Sequence, residues 1–164
     1  MEDVNQAIKF KPNYAQAYQL KGMIHHENLR KEIQKLQSNP NLTQPEQSEK
    51  IVKIIQDYIP QAIADHDKAI EIAPKFGVAY FQRGGLRFAL AFVSNEKQEL
   101  LPNSLKDYNK AIKLMNDPTP EIYHLWLGVL PEELEDFSSH QLKEMFVPDA
   151  SLYALVYKSR GYLF

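Results

Sequence analysis

Asp65 to Gly84 reads DHDKAIEIAPKFGVAYFQRG, and Asp3 to Gly22 reads DVNQAIKFKPNYAQAYQLKG. In each, an aspartate precedes an alanine by four residues, and isoleucine follows that alanine directly. Counted from the alanine, proline then stands at +5, tyrosine at +11 and glycine at +15 in both. Agreement at this many offsets marks an internal repeat, and a repeat period decides the fold before local propensity does. A third copy opens as DYNKAI, Asp107 to Ile112. There Pro118 and Gly128 come two residues late after Ala111, with Tyr123 and His124 near the aromatic position and the extra length around MNDP. Tyr157, Arg160, Gly161 and Phe164 repeat the aromatic, basic, glycine and aromatic order of YQLKG and YFQRG at the end of the chain.

Two amphipathic patterns alternate within each unit. In the first, Ala62, Ile63, His66, Ala69 and Ile70 recur at the three- and four-residue steps of one helix face, as do Ser104, Tyr108, Ala111 and Ile112. Proline then stops the helix. In the second, Tyr18 or Tyr80 precedes a glycine by four residues, so ring and glycine share a face. Glycine inside a helix costs about 1 kcal/mol relative to alanine. Its recurrence implies that another helix passes too close for a Cβ.

These residues resemble the tetratricopeptide repeat family, whose 34-residue unit orders an aromatic, leucine and glycine, an aromatic, a small residue, an aromatic, alanine and proline. Tyr80 and Gly84 match its first helix, Ser104 and Tyr108 the small residue and aromatic of its second, and Ala111 the following alanine. Ala62, Ala69 and Pro74 match equally, with His66 in the aromatic place. The chain departs from the pattern after each glycine, where His25, Arg87 and Pro131 replace a tyrosine and only Phe164 fits. The resemblance implies an all-α fold of stacked antiparallel helical hairpins, an α-solenoid, forming a single domain over residues 1–164.

In the family the glycine and the next small residue lie 12 apart, whereas Gly22 to Ala62 is 40 and Gly84 to Ser104 is 20. The insertions are thus 28 and 8 residues, near 27–58 and 90–102. The larger predicts two lengthened helices forming one protruding hairpin, with a polar loop at about 38–47 and Ser48 as the cap of the second helix. A helix from Ala15 to Gln37 would run about 33 Å. Ile51, Ile55, Tyr58, Ala62 and Ala69 keep one face across Pro60, which predicts a kinked helix, with a break at Ile59 as the alternative. The smaller insertion, around SNEKQELLPNS, reads as a longer turn plus an extra helical turn. Half-repeats at both ends lack the polar caps that close such stacks, which points to a segment of a longer array or to ends that pair with another chain.

Composition narrows the function. With 44% apolar residues in 164, the chain can bury one core or a short stack of repeats. Nineteen basic against 21 acidic side chains lack the basic excess that phosphate binding demands, so no nucleic acid is expected. The absence of cysteine removes disulfides, thiolate metal sites and cysteine nucleophiles. No secretory signal opens the sequence, and Leu86 to Val93, the most apolar run, is far shorter than the roughly 20 residues of a membrane span. No membrane is expected, and the expected location is the cytoplasm.

Catalysis finds no support: the phosphate-loop, dinucleotide, nucleophile-elbow and HExxH patterns are all missing from the sequence. His25, His26 and Glu27 are adjacent and point about 100° apart on a helix, and Glu121 with His124 supplies one ExxH where a dinuclear centre requires two. Asp65 with Asp67, and Glu132, Glu133 and Glu135, read as solvated helix faces. No cofactor and no metal are expected. Carried over from the resemblance, the inward positions are Gln16, Gln19, Leu20, Met23 and His26 in the first copy. They are Val78, Phe81, Gln82, Gly85 and Phe88 in the second, and Leu125, Trp126 and Val129 in the third. Phe81, Phe88 and Trp126 serve either the core or the groove. Gln19 and Met23 stand where some members carry lysine and asparagine, which excludes a clamp for acidic chain ends. Lys21 and Arg83 read as charges that reach water over packed stems. The expected function is a non-catalytic scaffold that binds a protein or peptide. The alternatives are a homo-oligomer formed through the long hairpin or the incomplete ends and, behind it, a helical metal-dependent enzyme domain.

Overall fold

The computed structural model describes residues 1–116 and Leu125. Among these the chain forms five helices and no strand: α1 (Glu2–Phe10), α2 (Ala15–Gln37), α3 (Gln44–Ile72), α4 (Gly77–Leu90) and α5 (Lys97–Asn116). Each helix packs on its neighbours in the chain. The all-α class holds for these residues, and no helix among them is long and apolar enough to cross a membrane. The late part of the third copy, the fourth copy, and the acidic and histidine candidates after residue 120 lie outside the described residues.

The larger insertion extends both α2 and α3, which reach 23 and 29 residues. Helix α2 has the bounds that the spacing predicts, and α3 runs unbroken through Pro60. Proline in a helix interior costs about 3 kcal/mol through its missing N–H and its ring. Burial next to it offsets that cost. Ile59 and Ala62 are 2% and 1% exposed and join Leu29 of α2 with Leu86 and Leu90 of α4 in one apolar cluster. A second cluster joins Ala15, Ala69, Phe76, Ala79 and Leu125, with Tyr18 and Val78 packed against it.

The cap of α3 is Thr43, and Ser48 lies more than a turn inside the helix, where its hydroxyl donates to the Gln44 carbonyl at 3.0 Å. The backbone N–H and hydroxyl of Thr43 both donate to the Glu46 carboxylate at 2.8 Å. Those bonds hold the Glu46 carboxyl below its ordinary range. The loop is correspondingly shorter than predicted. Buried Gln47 braces it by donating to the Leu42 carbonyl at 3.2 Å. The smaller insertion provides the turn after α4 and the start of α5, so nearly two helical turns precede Ser104.

Both repeat glycines mark close approaches between helices. A Cβ on Gly22 would come within 2.8 Å of His66 Nε2, and one on Gly84 within 3.2 Å of the Ser104 carbonyl oxygen, Asp107 Cβ and Tyr108 Cδ1. The buried Ser104 hydroxyl also donates to the Gly84 carbonyl at 2.7 Å. Gly84→Ala therefore pushes α5 off α4, because one obstructing atom is backbone and none is free to retreat. The expected loss is about 1 to 3 kcal/mol in denaturant unfolding, despite alanine's better helix propensity. A stability gain would refute the close approach.

Candidate functional site

The aspartates that open the second and third copies, Asp65 and Asp107, each reach back to the preceding helix. Asp65 of α3 is 8% exposed and pairs with Lys21 Nζ at 3.1 Å and His25 Nε2 at 3.4 Å, both on α2. Asp107 of α5 is 3% exposed and accepts from Arg83 Nε at 2.9 Å, Arg83 Nη2 at 2.5 Å and Arg87 Nη1 at 2.7 Å, all on α4. The register is the same twice: the base directly before the glycine and the base three after it share the aspartate of the next helix. Arg83 Nη1 also donates to Asp67 of α3 at 2.6 Å, so α3, α4 and α5 meet in one ionic knot. Burial works against the Arg83 charge, and the bonds it donates to Asp107 and Asp67, with the attraction of those carboxylates, outweigh it, raising its pKa.

These ties correct two expectations. Asp65 is a buried ion-pair partner, and Asp67, although half exposed, is bonded to Arg83. The Arg83 side chain is 13% exposed and spends its charge on carboxylates, with its guanidinium carbon 5.3 Å from the centre of the Tyr80 ring. His25 and Arg87, each three residues after its glycine, are the second basic residues of the two ties.

With the helices held in this way, α2 and α4 contribute to three adjoining hollows. The first, about 240 Å³, is lined by Gln16, Leu20 and Tyr14 together with α1 residues. Leu20 also lines the second, about 350 Å³, with Met23, His26, Glu27 and Gln82. Met23, His26 and Gln82 continue into the third, about 490 Å³, beside Phe81, Gly85 and His66. Gln19 bridges the two helices, its Nε2 donating to Gln82 Oε1 at 3.2 Å and to Met23 Sδ at 2.9 Å. Amide groups are able to bond a backbone laid beside them, and a thioether packs against apolar side chains.

Eight of the thirteen residues expected to face inward thus gather along this face: Gln16, Gln19, Leu20, Met23, His26, Phe81, Gln82 and Gly85. Three others lie elsewhere. Val78 packs on the second apolar cluster and Leu125 is buried within it. Phe88 stacks edge-on against Phe92, with ring centres 5.0 Å apart. Trp126 and Val129 lie outside the described residues. Phe81 lines the third hollow while its ring rests 5.9 Å from that of Tyr108, so it serves packing and surface together.

His66 is the residue whose chemistry the sequence understated. It stands where the third copy has Tyr108, is 1% exposed, and its Nδ1 has no hydrogen-bond partner. Burial, then the charges of Arg83 and His26, lower its pKa from 6.5 to about 4, so the ring is neutral at pH 7. Among the described residues, histidines and carboxylates nowhere gather in the threes that hold a metal ion. No protein-family model, curated protein sequence or solved structure matches the chain.

Proposed function

We propose that this chain is a non-catalytic, tetratricopeptide-like scaffold whose stacked helical hairpins hold a peptide or partner helix of another protein against α2 and α4. The continuity of the three hollows carries this reading: Leu20 joins the first to the second, and Met23, His26 and Gln82 join the second to the third. A strip of that kind suits an extended or helical segment better than an isolated small molecule. The repeated ties and glycine contacts support the repeat reading, since they recur at one register on α2–α3 and α4–α5.

Leu20 and Met23 are 46% and 41% exposed, so a charge at either site alters the groove without entering the core. Peptides selected on the full chain from a displayed random library should bind Leu20→Glu and Met23→Glu at least about tenfold more weakly, a loss of about 1.4 kcal/mol. Phe92→Ser, at an exposed corner beyond α4, should leave binding unchanged. Peptides indifferent to both glutamates would overturn the groove.

A further inference from the structure

The ionic ties leave one aspartate over. Asp3 opens the first copy as Asp65 and Asp107 open the second and third, yet it is exposed, with no basic partner among the described residues. Its helix face is open in the same way. Four residues after the aspartate, Ala69 and Ala111 are 0% exposed, whereas Ala7 is partly exposed. Seven residues after it, Leu114 is 9% exposed and Phe10 is 85% exposed. Steps of four and seven keep these residues on one stripe of α1. On α3 the matching residues meet α2: Lys21 and His25 pair with Asp65, and Ala15 joins Ala69 in one apolar cluster. Leu20, 46% exposed and beside Asp3 and Ala7 in the first hollow, holds on α2 the place of Gln82 on α4. Gln82 accepts a bond from the helix on its far side, and Leu20 has no such neighbour among the described residues.

We propose that this stripe of α1 docks a helix of another protein, one that carries an arginine or lysine directly before a glycine and a second base three residues after it. The chain shows the fit twice, in Lys21, Gly22 and His25 against α3 and in Arg83, Gly84 and Arg87 against α5. The bases reach Asp3. The glycine lets the backbone close on α1, as it does where a Cβ on Gly22 would meet His66 and one on Gly84 would meet Asp107. Apolar residues on the same helix cover Ala7 and Phe10. Charge selects this occupant over others. The first turn carries Glu2 and Asp3, which repel an acidic helix, and an uncharged one would strip water from Asp3 and leave it unpaired. Lys9 lies about 120° round the helix from Asp3, off the stripe.

The test adds a synthetic peptide with the α4 sequence, GVAYFQRGGLRFAL, to the full 164-residue chain and follows the titration by NMR. The Phe10 ring and Ala7 methyl signals should move, with Phe92 unmoved. A peptide that combines Arg83→Glu with Arg87→Glu should bind at least about tenfold more weakly, because both charge-assisted contacts are lost. Asp3 is exposed, so Asp3→Lys in the chain spares the fold. It should weaken the parent peptide to a similar degree and restore binding of the reversed one, an exchange that unspecific adhesion would not show. Phe10 and Ala7 signals unmoved by the peptide, or equal binding of both peptides, would overturn the proposal. Phe10 signals that shift when the chain alone is concentrated, and move no further with peptide, would give the face to a second copy and overturn it too. The surface lies apart from the α2 and α4 groove: failure here leaves the groove standing, and library peptides indifferent to Leu20→Glu and Met23→Glu leave this test intact.

Discussion

Asp107→Ala is expected to cost the fold about 3 kcal/mol, at the lower end of the range for breaking a buried ion pair by removing one partner. The substitution deletes the acceptor of three charge-assisted bonds, two from Arg83 and one from Arg87. It leaves both guanidiniums in place, with side-chain exposures of only 13% and 20%. Asp67 remains 2.6 Å from Arg83 Nη1, which is why the upper end of the range is not reached. For a chain of this size the loss should lower Tm by roughly 6–12 °C in a thermal melt. Asp65→Ala should cost less, about 1 kcal/mol, because Lys21 is 28% exposed and regains water once released. A melt of Asp107→Ala within 2 °C or so of the parent would show that the knot is surface decoration.

Stability should also fall as pH drops from about 6.5 to about 4, by up to about 3 kcal/mol from His66 alone. The unfolded chain takes up this proton near pH 6.5, whereas the folded chain resists it until about pH 4. Between those values the unfolded state binds more protons, so stability rises with pH. Above the window the ring is neutral in both states and contributes no slope; below it both are charged and the loss is complete. Desolvation beside Gly22 is the main cause, and the charges facing the ring are Arg83 and His26, which add to it, and Asp67, which opposes it. His66→Phe, which restores an aromatic where Tyr108 stands in the next copy, removes this contribution. Denaturant unfolding of parent and variant at pH 7, 5.5 and 4.5 isolates it from the other titrating groups. Parallel stability profiles for the two proteins would refute the buried neutral ring.

Helix positions were legible because the repeat sets several residues of each helix at once. Tyr18 and Gly22 belong to one face, and the same face continued to Gln37 gives α2 without error. The unbroken α3 was legible from Ile55, Tyr58 and Ala62, whose shared face made the cost of Pro60 bearable. The cap was misread for a physical reason. The first turns of α3 are solvent-exposed and polar, so the helix begins well before its apolar stripe, and Ser48 stands nearer that stripe than the TQPE capping box at Thr43–Glu46.

The ionic ties were hidden by the insertions. Lys21 lies 44 residues before Asp65 and Arg83 lies 24 before Asp107, and these separations become the same 16 only when insertions of 28 and 8 residues are removed. Single-residue reasoning about lysine and arginine stems sent those charges to water, although the departures at His25 and Arg87 already flagged the position. The α2 residues that line the hollows were legible as one face of that helix, the same three- and four-residue steps that place Gln16, Leu20 and Met23 together. Val78 and Phe88 were not, since each sits near an end of α4, where the core cluster and the Phe92 corner claim them.

The most direct measurement is a methyl and aromatic NMR map of the full chain bound to a peptide selected on it. Shifts concentrated at Leu20, Met23 and Phe81, with Phe10 and Phe92 unmoved, are the predicted result. Shifts at Phe10, Phe92 or the outer faces of the long hairpin, with Leu20 and Met23 silent, would contradict it.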